Sequence, residues 1–147
     1  MSFFGTMNIS ASGITAQRLR MDIISQNLAN VNTTRANDGG PYKRKTVLLQ
    51  EQKQATPFAQ QFESILSKPV EGNGVRVARV VTDETKGNVV YEPSHPDAND
   101  EGYVEMPNVN VVVEMVNMIA ASRSYEANVT ATNITKGMLA KTLEISK

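Results

Sequence analysis

The chain has 147 residues, with 15 Lys plus Arg against 15 Asp plus Glu, one His and no Cys. That length suits one ordinary domain, or a small one with helical extensions, and the cancelled charge offers no field of one sign to nucleic acid or anionic lipid. The missing Cys excludes disulfides, thiolate chemistry and cysteine-ligated metal, and no apolar run approaches the ~20 residues of a membrane helix.

The first element is a long amphipathic helix. Met7, Ile14, Met21 and Leu28 recur every seven residues, with Ile24 and Val31 at offset positions. Such spacing aims apolar side chains at another helix. Asn8, Ser10 and Ser12 are the candidate caps, and the helix is expected to fade through Asn30 to Thr34 before the turn-forming run Asn37-Asp38-Gly39-Gly40-Pro41. From Met7 to Val31 it would measure about 36 Å. The stretch before Arg18 has no Lys or Arg and no continuous apolar segment, so it does not read as a secretory signal peptide.

The middle of the chain is mixed. Tyr42 to Gln50 is a strand candidate with poor alternation, and its Lys43-Arg44-Lys45 cluster reads as a solvated edge, not a phosphate patch. Phe58, Phe62, Ile65 and Leu66 follow helical spacing after Pro57 and suggest a short helix or a locally ordered loop. After the Gly72-Asn73-Gly74 turn, Val75 to Thr82 gives the clearest strand, and Val89-Val90-Tyr91 lies close enough to pair with it as a hairpin. Pro93 to Gly102 is a loop rich in Pro, Asp and Asn, and Tyr103 to Met106 is a short strand candidate.

The last helix is expected to open after Pro107, capped by Asn108 or Asn110, with Glu114 near its positive end. Its stripe is Val111, Met115, Met118, Tyr125, Val129, Leu139 and Leu143, and a run to about Ile145 spans roughly 50 Å. The fold class is therefore α+β: long N- and C-terminal helices packed as an antiparallel coiled-coil-like pair, with a small, partly β central domain. The expected divisions are residues 1–35, 36–107 and 108–147. Each stripe needs a partner to stay ordered, so the ends of an isolated chain are expected to fray and to become helical on assembly. The alternative is a self-contained helical hairpin packed on a small sheet.

No residue set suits an enzyme. Asp97, Asn99, Glu101 and Gly102 match part of a calcium-loop spacing, but Asn108 stands where a bidentate Glu belongs, so a turn with local Asx bonds explains them better. His95 is the only histidine, which excludes a multi-histidine zinc site within one chain, and no cofactor is expected. Arg123 and Glu126, three apart, pair either within the helix or across subunits. Gly137 costs about 1 kcal/mol relative to Ala in a helix interior, a cost that close backbone approach in a dense assembly would offset.

Two blocks carry a resemblance. Ala11 to Arg35, with its core Asn27-Leu28-Ala29-Asn30-Val31-Asn32-Thr33, resembles the N-terminal signature of the bacterial flagellar rod and hook family. Tyr91 to Asn133 resembles the proximal rod subunits of that family through Pro93, His95-Pro96-Asp97-Ala98-Asn99, Gly102-Tyr103-Val104, Pro107-Asn108-Val109-Asn110, Glu114-Met115, Arg123 and Tyr125-Glu126-Ala127-Asn128. The resemblance implies a non-enzymatic structural subunit, exported through the flagellar type III apparatus without a cleaved signal peptide and polymerised in the periplasm. Its implied partners are copies of itself, other rod proteins, the rod-base adaptor and the membrane-ring proteins, with neither nucleic acid nor membrane insertion. The terminal helices would form an inner tube around the export channel, and the central segment an outer domain. Other readings are another rod or hook component, or a small helical-hairpin module that binds one partner.

Overall fold

A computed structural model describes residues 3–36, 39–52 and 73–145. The elements in chain order are α1 (Phe3–Ala29), β1 (Lys45–Glu51), β2 (Val75–Thr82), β3 (Val89–Tyr91), β4 (Tyr103–Glu105) and α2 (Val111–Ile145). This is the expected α+β arrangement of two long terminal helices flanking a small β region. The expected element around Phe58, Phe62, Ile65 and Leu66 lies outside the described residues.

α1 begins earlier than its cap signals suggest. The helix is already running at Phe3, and Ser10 and Ser12 sit inside it. Ser10 is buried, while the Ser12 hydroxyl donates to the Ile9 carbonyl (2.7 Å) and accepts the Val75 amide (3.0 Å). The Ser12 hydroxyl thus finds partners within the helix and across to β2, and is not needed as a cap. Packing against α2 overrides the local start signal.

The far end of α1 closes as expected. The Asn30 amide N–H is shared between the Gln26 and Asn27 carbonyls, and the Asn30 side chain donates to Gln26 O at 2.8 Å. A turn through Gly39, whose φ of +80° favours glycine, returns the chain so that the Tyr42 N–H reaches the Thr33 carbonyl at 3.0 Å. At the opposite junction Asn110 is the N-cap of α2: its side chain accepts the Val113 N–H (3.2 Å) and its carbonyl accepts that of Glu114 (3.0 Å).

The strand pairing differs from the hairpin expected between β2 and β3. β2 pairs antiparallel with β1, from Lys45 opposite Thr82 to Glu51 opposite Val75, and β3 pairs with β4. The reason lies at both ends of the Lys86-Gly87-Asn88 connection. The Asp83 N–H donates to Arg44 O and extends the β1–β2 ladder, whereas the Met106 N–H donates to Asn88 O and draws the next segment to β4. One shift between Leu48 and Leu49 leaves Ala78 as the extra residue of a β-bulge, which bends the ribbon.

The two helices are antiparallel, with Gly13 meeting Asn128 at one level and Asn27 meeting Glu114 at another. The seam is lined by small and polar residues. On α1 its buried positions include Ser10, Gly13, Ala16, Ile24 and Asn27; on α2 they are Glu114, Ala121 and Thr135, at intervals of seven and fourteen. A Cβ on Gly13 would stand 2.8 Å from the Asn128 side-chain oxygen, so the helices approach closely there.

Gly87 is the tightest of the described glycines, since a Cβ there would stand 1.8 Å from the Met106 carbonyl oxygen, whereas one on Gly5 meets nothing within 4 Å. Gly87→Ala is expected to destabilise the fold by about 1–3 kcal/mol, because backbone must move. Gly5→Ala is expected to leave stability unchanged or raise it by up to ~1 kcal/mol. Urea unfolding followed by circular dichroism of the two variants checks the contrast.

Candidate functional site

The region that joins the two terminal blocks is a buried polar junction. α1 contributes Asn27, the approach to β1 contributes Tyr42, Arg44 and Lys45, and α2 contributes Glu114 from its first turn. Asn27 and Glu114 are each only 1% exposed. Asn27 uses every hydrogen-bonding group of its amide. The nitrogen donates to Lys45 O (2.8 Å) and Glu114 Oε2 (3.0 Å), and the oxygen accepts from Tyr42 Oη (2.9 Å) and the Lys45 N–H (2.9 Å).

The other Glu114 oxygen, Oε1, accepts from Arg44 Nε at 2.9 Å and Nη2 at 2.8 Å. The carboxylate is thus held by a cation and an amide where water is excluded, and a buried charge persists only when paired in this way. Burial, and secondarily the negative charge of Glu114, push the Tyr42 phenol above its ordinary pKa. Asn108 extends the network outward: its Oδ1 accepts the Arg44 N–H (2.7 Å) and its Nδ2 donates to Asp83 O (3.1 Å).

A second tie crosses between the same two blocks nearer the surface. Thr34 Oγ1 donates to Asp97 Oδ2 (2.8 Å), and Arg35 Nη2 donates to Asp97 Oδ1 (2.5 Å). Asp97 therefore faces a cation from the protein itself. Its own N–H donates to His95 Nδ1 (3.1 Å), which makes that nitrogen the acceptor of the ring. Asn99 Oδ1 takes the N–H groups of Glu101 and Tyr103, the local Asx turn expected of this loop. Gly102, at φ +83°, lies under Tyr91 and Pro93, and the Tyr91 and Tyr103 rings meet edge to face at 5.1 Å. Among the described residues no group of three or more His, Asp or Glu could hold a metal ion.

Apart from Ile24, the apolar stripe residues lie beside the seam, not on it. Ile24 is buried; Met7, Ile14, Met21, Leu28 and Val31 are half-buried, as are Met118, Tyr125, Val129 and Leu139. Val111, Met115 and Leu143 are exposed, Leu143 by 70%. Further apolar residues face outward on α2, with Val116 and Ile119 each 61% exposed. Arg123 and Glu126 pair within the helix at 3.3 Å on an exposed face. Gly137 has nothing within 4 Å of its would-be Cβ, so no close approach inside the subunit accounts for it.

In the family blocks Asn27, Asp97, Asn108, Asn110 and Glu114 make the junction, tie and cap just described. Ala29, Asn32 and Pro96 are exposed, whereas Pro107 is buried. Arg44 corrects the reading of its cluster as a solvated edge: Lys43 pairs with Glu84 and Lys45 Nζ sits 5.8 Å over the Tyr42 ring, but Arg44 turns inward to Glu114. Glu114 is correspondingly more than a complement to the helix dipole. One signal pointed to it, a lone acidic residue in an otherwise apolar helix start.

A pair of helices latched to a small ribbon by a charge-paired junction, with apolar residues left outward, defines a structural building block. Its two ends match models of recognised families: "Flagella basal body rod protein" over residues 7–36 and "Flagellar basal body rod FlgEFG protein C-terminal" over 100–145. Full-length comparison is more specific. The flagellar basal-body rod protein FlgC of Bacillus subtilis (strain 168) is 49% identical over 156 aligned residues, covering 100% of both chains. The FlgC of Borreliella burgdorferi is 44% identical, covering 99% of this chain and 98% of its own, and that of Escherichia coli O6:H1 is 40% identical with 100% of both covered. The chain belongs to the FlgC family of flagellar basal-body rod proteins.

Two predictions follow from the junction's geometry. Asn27→Ala strands the Lys45 backbone groups, the Tyr42 hydroxyl and one Glu114 oxygen, and is expected to cost about 2–4 kcal/mol. Asn30→Ala, at the helix end, should cost only about 0.5–1.5 kcal/mol; urea midpoints of the two variants make the comparison. For Tyr42, the raised folded-state pKa means that the folded chain holds the phenol proton more tightly than the unfolded chain does. This contribution is whole below pH ~10 and is lost as pH rises through the folded value. Tyr42→Phe is therefore expected to lower stability at neutral pH and to flatten its decline above about pH 10, measured as urea midpoint against pH.

Proposed function

We propose that this chain is a structural subunit of the flagellar basal-body proximal rod, which polymerises in the periplasm into the drive shaft between the motor ring and the distal rod and hook. The observation that carries the reading is the end-to-end identity to FlgC rod proteins in a molecule whose helix pair keeps an apolar side outward. Residues 1–35 and 108–147 form the inner tube lining the export channel, and residues 36–107 form the outer domain. The stripe residues that flank the seam contact neighbouring subunits. Heterologous contacts of this kind, repeated without closing into a ring, generate a helical filament.

Torque passes through such a shaft by contact alone, so the subunit needs many packed surfaces and no reaction chemistry. Its partners are further copies of this chain, other rod proteins, and the adaptor and ring proteins at the rod base. It reaches the periplasm through the flagellar type III apparatus without a cleaved signal peptide, and its terminal helices become fully ordered as it joins the rod.

Chromosomal deletion of the gene, scored by imaging purified basal bodies, tests the reading. Rings that persist with the rod absent or arrested at its base are the expected outcome. Complete rods and swimming cells would remove it.

A further inference from the structure

Helix α2 is seated with its polar edge inward. Every residue from Val111 to Ile119 except Glu114 and Asn117 is apolar. At about 100° per residue those two polar positions fall on one edge, together with Ala121. Burial of apolar area alone would turn the opposite side, which carries Val112, Met115, Val116 and Ile119, toward α1. The structure does the reverse: Glu114 is 1% and Ala121 0% exposed, while Val112 is 71% and Ile119 61% exposed.

We propose that the Asn27–Arg44–Glu114 cluster is an orientation lock, a set of positioning residues that fixes the rotation of α2 and keeps its apolar face outward. The carboxylate has one place to go, because Arg44 and the Asn27 amide are together only at this junction. Any other rotation leaves two opposite charges apart and the Asn27 amide short of a partner. A buried ion pair adds little net stability compared with apolar residues of the same volume, and its best-attested use is to select one register over others. Lower on the seam the buried positions include Gly13, Ala16 and Ala121, small residues that discriminate weakly between rotations. Leaving the face free for neighbouring subunits rests on the rod-subunit reading; the lock itself does not.

The test is thiol labelling of the full-length chain, which has no native Cys. Single Ile119→Cys and Thr135→Cys reporters read the outward face and the seam, since Thr135 is 8% exposed. Maleimide is expected to modify position 119 at least tenfold faster than position 135. In the Asn27→Leu/Arg44→Met/Glu114→Leu background, helicity by circular dichroism should persist while this ratio collapses toward one or inverts, and rod assembly in cells should fail. An unchanged ratio in the helical variant overturns the proposal. If the triple variant loses helix, Arg44→Met/Glu114→Gln decides, because it removes the charges and keeps the amide contact. A collapsed ratio there supports the lock, and an unchanged ratio or loss of helix in that variant as well overturns it. Labelling reads the subunit without a rod, so failure of the lock is distinguishable from failure of the rod assignment.

Discussion

The carboxylate of Glu114 is buried to 1% exposure, and the rest of the architecture answers to that burial. A charge taken out of water is tolerated only beside a counter-charge and enough donors. Arg44 supplies the first and Asn27 completes the second. These residues come from the end of α1, the approach to β1 and the first turn of α2. Satisfying one carboxylate therefore fixes three separate segments at one point. Tyr42 and Lys45 occupy the remaining capacity of the Asn27 amide, so the β1–β2 ribbon is docked by the same atoms that join the helices. Both family matches meet at this junction, yet Tyr42, Arg44 and Lys45 lie outside the matched ranges 7–36 and 100–145.

Away from the junction the helices are held by proximity more than by side-chain bulk. Gly13, Ala16 and Ala121 let the backbones come close, and the small seam leaves most large apolar side chains at its margins. Such a seam stabilises less by area buried than a Leu-rich one would. It leaves instead a close helix pair whose second helix carries exposed apolar residues along its length, from Val112 to Ile145. The ribbon is tied at two further points, by Ser12 to the start of β2 and by Asn108 to the loop after it, so load applied to the ribbon reaches the helices through hydrogen bonds at fixed points.

The long elements were legible because periodicity over many residues leaves few alternatives: both helices and β2 follow from the pattern, and the structure selects Asn110 from the two candidate caps, Asn108 and Asn110. The pairing of β2 was not. Local proximity in sequence favours a β2–β3 hairpin, but the partner strand β1 lies across residues 53–72, and that preference misses such a distant pairing. Neither was the junction legible. Arg44 had a sufficient local explanation as part of a basic edge, Glu114 as a charge near a helix start, and Asn27 as part of a motif. Only three-dimensional placement shows that Arg44 and Asn27 are both partners of Glu114. The early start of α1 escaped for a related reason, since Ser12 carries cap chemistry that a contact with β2 redirects.

Among the described residues, the charged ties between the N-terminal and C-terminal blocks lie toward one end of the helix pair. The junction joins Asn27 to Glu114, and the Arg35–Asp97 contact lies beyond the same end of α1. Toward the opposite end the seam carries Ser10, Gly13 and Thr135, with no ion pair between the helices among the described residues. Counting about ten residues from the Gly13–Asn128 contact brings Phe3 level with Met138, so the last turns of α2 extend past the described start of α1. There Leu143 is 70% and Ile145 84% exposed, and Phe4 is 71% exposed on α1. Helical segments with few buried contacts open first, so order within the subunit decreases from the junction toward this end. The subunit's own polar and charged contacts thus fix one end of the helix pair far more firmly than the other.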